Sequence, residues 1–70
     1  MPLTMARPGK ESFIIKKISG KDETRRHLAN LGFVEGASVT VVSEVAGNLV
    51  IGIKGTRIAI DKAMANRIII

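Results

Sequence analysis

The side chains best placed to do chemistry in this 70-residue sequence are Glu23 and His27. They are four residues apart, and on a helix that spacing can present two ligands to one metal ion. Selective transition-metal sites usually use three or four protein ligands, so a solvated surface pair is the stronger interpretation. We therefore treat Glu23 and His27 as weak metal candidates and expect no cofactor.

Catalysis has little support in the residue types. His27 is the only histidine, and the sequence contains no cysteine and no tyrosine. An enzyme needs a positioned nucleophile, base or metal, and no such pair of groups is present in the pattern. We predict a binding module and no enzymatic activity.

The balance of charge points to an acidic partner. Eleven Lys and Arg residues against six Asp and Glu give a net charge of +5, which attracts acidic proteins, nucleic acid or an anionic membrane face. The candidate docking residues are Arg25, Arg26, Lys54 and Arg57. The competing interpretation is a solvated basic surface that keeps the protein soluble.

Nucleic acid and membrane are weaker expectations. Single-strand binders stack bases on aromatic rings, but the only aromatic residues here are Phe13 and Phe33, and both are needed by predicted structural elements. Lys54 and Arg57 interrupt the most apolar stretch, so no run approaches the length of a membrane helix. The segment from Met1 to Arg7 is not typical of a secretory signal. We expect a cytoplasmic protein with no membrane insertion, and a small basic nucleic-acid module is the alternative.

One substantial helix is predicted over residues 21–31, because apolar residues recur there at helical spacing. Ser19 with Asp22 resembles a capping box at its start, and Asp22 can pair with Arg26 on its surface. At its end, Gly32 in a left-handed conformation would let Phe33 fold back onto Leu28 in a Schellman cap.

The rest of the chain is predicted to form β-structure. A segment 2–5 and a type II turn at 7–10 precede a strand at 11–18, and further strands are predicted at 38–45, 49–54, 57–60 and 67–70. Asp61 caps a short helical turn over 61–66. We predict one mostly β domain, with five or six strands closing into a small barrel, because open apolar edges aggregate. The pattern leaves undecided which of Val41 and Val42 faces the core.

The segment from Arg25 to Gly36, RRHLANLGFVEG, resembles the Arg-x-Leu-x-x-Leu-Gly-[Phe/Leu/Met]-x-x-Gly motif of the FeoA family. RIAI at 57–60 and ANRIII at 65–70 are similar to the family's late strand and its ending. The chain departs from the family where Glu35 replaces a frequent Pro, and where the central hairpin lacks a common Gly-x-Pro element.

The resemblance implies an SH3-like β-barrel and a non-catalytic role in ferrous iron uptake. It also implies contact with the cytosolic GTP-binding region of the FeoB-type membrane permease, and so a location in the cytoplasm, peripheral to the inner membrane through that partner. The same barrel resembles the C-terminal domain of iron-dependent repressors, which is a second alternative as a regulatory module. That function requires a winged helix and a dimerisation helix, and we expect neither within these 70 residues.

Overall fold

The computed structural model describes residues 1–70 and contains six strands, two α-helices and a short 3-10 helix. In chain order they are the 3-10 helix Leu3–Met5, β1 Ser12–Ile14, β2 Lys17–Ile18, α1 Asp22–Asn30, β3 Ser38–Val45, β4 Asn48–Ile53, β5 Thr56–Asp61, α2 Lys62–Ala65 and β6 Ile68–Ile69. The prediction of a mostly β fold with one inserted helix and a short helical turn is confirmed.

Two tight hairpins organise the centre of the fold. Ala46 and Gly47 join β3 to β4 with φ values of 51° and 81°, and Lys54 and Gly55 join β4 to β5 with 51° and 76°. Two successive positive φ angles define the type I′ turn, whose twist matches that of the flanking strands. The three strands therefore form a continuous antiparallel meander.

The strands form two separate antiparallel sheets. One has four strands in the order β1-β3-β4-β5, and the other pairs β2 with β6. The single strand predicted over 11–18 divides at Ile15 and Lys16, whose N–H groups donate to Ala37 and Ile69 respectively. The chain thus passes from one sheet to the other, as in an SH3-like fold, and the two sheets do not join into one closed barrel.

The core lies between the sheets and contains only apolar side chains. Val41 is 1% exposed and pairs with the buried Ile51, whereas Val42 is half-buried and is the extra residue at a bulge between Val41 and Ser43. The bulge places two residues of β3 opposite one of β4, which a pattern of alternation does not reveal. The core residues are Leu3, Ala6, Ile15, Leu28, Phe33, Val39, Val41, Leu49, Ile51, Ile53, Ile60, Ala65, Ile68 and Ile70.

The start of α1 differs from the prediction. Lys21 is the N-cap residue and no side chain caps the helix. The Ser19 hydroxyl instead donates to the Arg67 carbonyl at 3.3 Å, because the pairing of β2 with β6 brings the two residues together. Asp22 contacts Arg25 at 3.5 Å rather than Arg26. The capping box and the Asp22–Arg26 pair were therefore wrong predictions.

The end of α1 matches the prediction. The Phe33 N–H donates to the Leu28 carbonyl at 2.9 Å, and the Gly32 N–H donates to the Ala29 carbonyl at 3.0 Å. Gly32 has a φ of 102°, and the side chains of Leu28 and Phe33 are both fully buried. These are the bonds and the apolar contact of a Schellman cap.

The amino-terminal segment is also different from the prediction. Residues 3–5 form a 3-10 helix with Leu3 fully buried, while Pro2 forms an isolated bridge to Ile69. Gly9 does not have the positive φ that a type II turn requires, so the turn predicted at 7–10 is absent. The Gly9 N–H instead donates to the Val41 carbonyl at 2.9 Å.

Candidate docking surface

Two of the predicted docking cations lie at one end of the β4–β5 hairpin. Lys54 occupies the turn and Arg57 follows in β5, and both are exposed. They line a groove of about 390 Å3, whose other lining residues are Ser38, Thr40, Gly52, Ile53, Gly55 and Thr56. We call this the hairpin groove.

A row of residues across the four-stranded sheet forms the floor of the hairpin groove. The strand registers place Ser12 beside Thr40, Thr40 beside Gly52, and Gly52 beside Arg57. The Ser12 and Thr40 hydroxyls are 3.4 Å apart. Gly52 has no side chain, so it leaves a gap in the row between the Thr40 hydroxyl and the Arg57 guanidinium.

The cations of the hairpin groove have no carboxylate partner. The two salt bridges of the molecule join Arg25 to Asp22 and Lys62 to Glu44, and neither includes Lys54 or Arg57. A guanidinium and an ammonium beside several hydroxyls can bind an acidic group, since the guanidinium donates in a bidentate fork and the hydroxyls donate single hydrogen bonds. The hairpin groove is therefore suited to a carboxylate of a partner.

The other two predicted cations lie on α1. Arg25 lines a second groove, of about 400 Å3, together with Ile18, Ala29, Phe33, Val34 and Glu35. Arg26 is exposed on α1 and lines neither groove. The structure thus brings Lys54 and Arg57 together in one groove and places Arg25 in another.

The hydroxyl groups of the hairpin groove were not predicted from the sequence. Ser38 and Thr40 alternate along β3 with the buried Val39 and Val41. That alternation is a signal of which β3 residues share the solvent face. The missing information was the register that sets Thr40 in one row with Gly52 and Arg57.

The weak metal candidates remain two isolated side chains. Glu23 and His27 are both exposed on α1. No group of three or more His, Cys, Asp and Glu residues in the structure could hold a metal ion. Among the helices of the structure, none has both the length and the apolar character needed to cross a membrane.

Comparison with known proteins gives the family. The FeoA domain model matches residues 1–70. A curated relative from Methanocaldococcus jannaschii, named "Putative Fe(2+) transport protein A", is 32% identical over 69 residues, covering 99% of this chain and 83% of its own.

Solved structures share the fold. FeoA of Stenotrophomonas maltophilia, crystallised with zinc and described as a procaryotic SH3 domain protein, has a TM-score of 0.83 and 25% identity, covering 99% of this chain and 87% of its own. A manganese-dependent transcriptional repressor has a TM-score of 0.85 at 21% identity, and the match covers 97% of this chain but 39% of the repressor. The repressor shows a likeness of fold alone. From the family model and the Methanocaldococcus jannaschii relative, the chain belongs to the FeoA domain family and is similar to a protein named for Fe(2+) transport.

Proposed function

We propose that this protein is a non-catalytic accessory of ferrous iron uptake that docks on the cytosolic GTP-binding region of a FeoB-type permease and modulates transport. In this proposal its 70 residues work as one domain in the cytoplasm, peripheral to the inner membrane through the partner. The docking is supported by the hairpin groove, where Lys54 and Arg57 lie without carboxylate partners. Membership of the FeoA domain family supplies the link to iron transport.

The groove favours recognition of an acidic side chain on a folded surface. Arg57 would hold the carboxylate in a bidentate contact, and the Thr40 hydroxyl across Gly52 would add a hydrogen bond. Lys54 would add a mobile point charge at the mouth of the groove. Because both cations are exposed, docking of this kind is fast, modest in affinity and weakened by salt.

A titration tests the proposal directly. The protein is titrated by calorimetry against the isolated cytosolic GTP-binding domain of its permease, with and without guanine nucleotide, at low and at moderate salt. We expect saturable binding that weakens as salt increases. Binding that is unchanged by salt would refute the role of the hairpin groove, and no binding at all would refute docking on this domain.

Charge-reversal variants locate the docking surface. Lys54→Glu and Arg57→Glu should each weaken binding, while Lys17→Glu makes the same change of net charge on β2, outside both grooves, and should leave it intact. Arg25→Glu and Arg26→Glu show whether α1 belongs to the same surface. An equal loss in all five variants would mean that only the net charge matters.

A labelled single-stranded oligonucleotide distinguishes the nucleic-acid alternative. No aromatic platform is available, because Phe33 is fully buried and Phe13 is partly buried against the core. We therefore expect no saturable binding to the oligonucleotide. Tight, salt-dependent binding would instead favour a nucleic-acid module and count against the permease as partner.

A further inference from the structure

The outer edge of β5 is an unpaired strand edge of six residues. β5 is the last strand of the four-stranded sheet, and its only strand partner is β4. The register between them runs from Asn48↔Asp61 to Ile53↔Thr56 without a bulge. The edge also lacks proline. Two common means of protecting an edge strand against another chain, a bulge and a proline, are therefore absent.

The hairpin geometry identifies the free backbone groups. A two-residue hairpin closes on a hydrogen-bonded pair, here Ile53↔Thr56, and bonded pairs alternate with unbonded ones along the ladder. The backbone N–H and C=O groups of Arg57, Ala59 and Asp61 therefore point away from β4. The backbone hydrogen bonds of turns and loops do not use them. Asp61 is also the N-cap of α2, so its carbonyl accepts the first hydrogen bond of that helix and keeps one lone pair. The side chains of these three residues are all exposed.

This edge is complementary to a second copy of itself. If two β5 strands meet antiparallel with Ala59 opposite Ala59, then Arg57 of each copy lies opposite Asp61 of the other. All three facing pairs in this register bring outward-pointing backbone groups together. Arg57 and Asp61 lie on the same face of the strand because they are separated by an even number of residues. Oppositely charged residues directly opposite one another stabilise a strand pair.

Other registers are less favourable. A slip by one residue sets outward-pointing groups against inward-pointing ones, so the hydrogen bonds are lost. A slip that places Arg57 opposite Arg57 brings like charges together. Asp61 keeps an oxygen for the pairing, because only Oδ1 accepts the Met64 N–H, at 2.8 Å.

We infer that the β5 edge is a self-association surface, through which two copies of this chain pair as a two-fold symmetric dimer with one continuous eight-stranded sheet. Each four-stranded sheet contributes its β5 at the centre, and the two Arg57–Asp61 pairs fix the register. The interface is one strand wide, so the dimer exchanges rapidly with the monomer. This surface does not depend on the proposed docking on a permease, although Arg57 takes part in both.

Analytical ultracentrifugation over a concentration series tests the inference. We expect the mean mass to increase from one chain toward two between about 10 µM and about 1 mM, the range in which interfaces below the standard size dissociate. Exchange of the Arg57 and Ala59 amide protons, followed by NMR, should slow over the same range. A protein that stays monomeric throughout would overturn the inference, as would a dimer in which these two amides are unaffected.

Two variants should abolish pairing for different reasons. Ala59→Pro removes an outward N–H that no bond to β4 uses, and prolines are tolerated at such edge positions. Arg57→Glu sets the new carboxylate opposite Asp61 of the other copy and should move dimerisation to a concentration at least about tenfold higher. Asp61→Asn keeps a capping side chain and should have a smaller effect in the same direction.

Lys54→Glu is the matched control. It makes the same change of net charge as Arg57→Glu but lies in the β4–β5 turn, outside the paired residues, so self-association should be unchanged. If Lys54→Glu weakens pairing as much as Arg57→Glu, the inferred register is wrong. The two proposals also separate, because Ala59→Pro should leave docking on the permease domain intact while Lys54→Glu should weaken it.

Discussion

Truncation of Leu28 tests how α1 is attached to the rest of the molecule. Leu28 is the only buried residue of the nine in α1, and it is fully buried. Its carbonyl also accepts the Phe33 N–H in the cap that ends the helix. The variant Leu28→Ala therefore removes the one side chain that anchors the helix while it leaves the backbone hydrogen bond in place.

The expected cost is a large share of the stability of this protein. Leu→Ala substitutions at fully buried positions lower the free energy of unfolding by about 2 to 5 kcal/mol. A 70-residue chain at about 0.05 to 0.15 kcal/mol per residue has about 3.5 to 10 kcal/mol in total. Since each 1 kcal/mol shifts the Tm of a domain of this size by about 4 to 8 °C, we expect Tm to fall by about 10 °C or more.

Thermal and urea unfolding followed by circular dichroism measure the effect. Val45→Ala is the control, since Val45 is an aliphatic residue that is 59% exposed, and its truncation should change the free energy of unfolding by less than about 0.5 kcal/mol. Arg26→Glu, on the exposed side of α1, should likewise leave Tm nearly unchanged.

A Leu28→Ala protein as stable as the wild type would refute this account of α1. If such a stable variant also failed to bind the permease domain, Leu28 would be a partner contact rather than a core residue. A third result would be the loss of helical signal with little change in the unfolding of the sheets. It would mean that α1 detaches alone and that the sheets do not depend on it.

Three further substitutions have defined outcomes. Asp61→Ala should lower the free energy of unfolding by about 0.5 to 2 kcal/mol, because it removes the side chain that accepts the Met64 N–H at the start of α2, and Asp61→Asn should restore most of it in urea titrations. Gly32→Ala should destabilise by about 1 to 2 kcal/mol in the same assay, because φ is 102° there although the nearest side-chain atom, on Ile53, is 3.7 Å from an added Cβ. Lys62→Ala breaks the 2.6 Å bridge to Glu44, but both side chains are about half exposed, so thermal scans should show a loss below about 1 kcal/mol.

Two caps determined by neighbouring residues were predictable from the sequence, although the type II turn predicted at 7–10 was not formed. The Schellman cap at Leu28, Gly32 and Phe33 depends on a single turn of chain, and the Asp61 cap depends on three residues. The signal of the Schellman cap is a glycine that can adopt a positive φ just after the helix. The signal of the Asp61 cap is a short polar side chain three residues before the N–H that it accepts. The boundaries of β3, 38–45, were also correct, because its turn residues follow directly.

Features determined by distant residues were not predictable. Ser19 has the right type and spacing for a capping box, but the pairing of β2 with β6 takes its hydroxyl to Arg67, 48 residues away. The division of the strand predicted over 11–18 and the bulge after Val41 likewise depend on which strands become neighbours. For the candidate site, the cations were predicted and the hydroxyls were not, and the grouping of Lys54 and Arg57 apart from Arg25 depends on tertiary packing.

The meeting of the two chain ends has a consequence for the unfolded state. The Met1 amino group donates to the Ile70 carbonyl at 3.0 Å, and the Ile70 N–H donates to the Met1 carbonyl at 2.7 Å. In the unfolded chain, bringing these ends together closes a loop of the whole sequence. A short covalent link between them would lower the conformational entropy of the unfolded chain. In the loop-closure model this raises the free energy of unfolding by up to about 4 kcal/mol. Because the ends already touch, a cyclic form of this chain gains that stability with little distortion of the native fold.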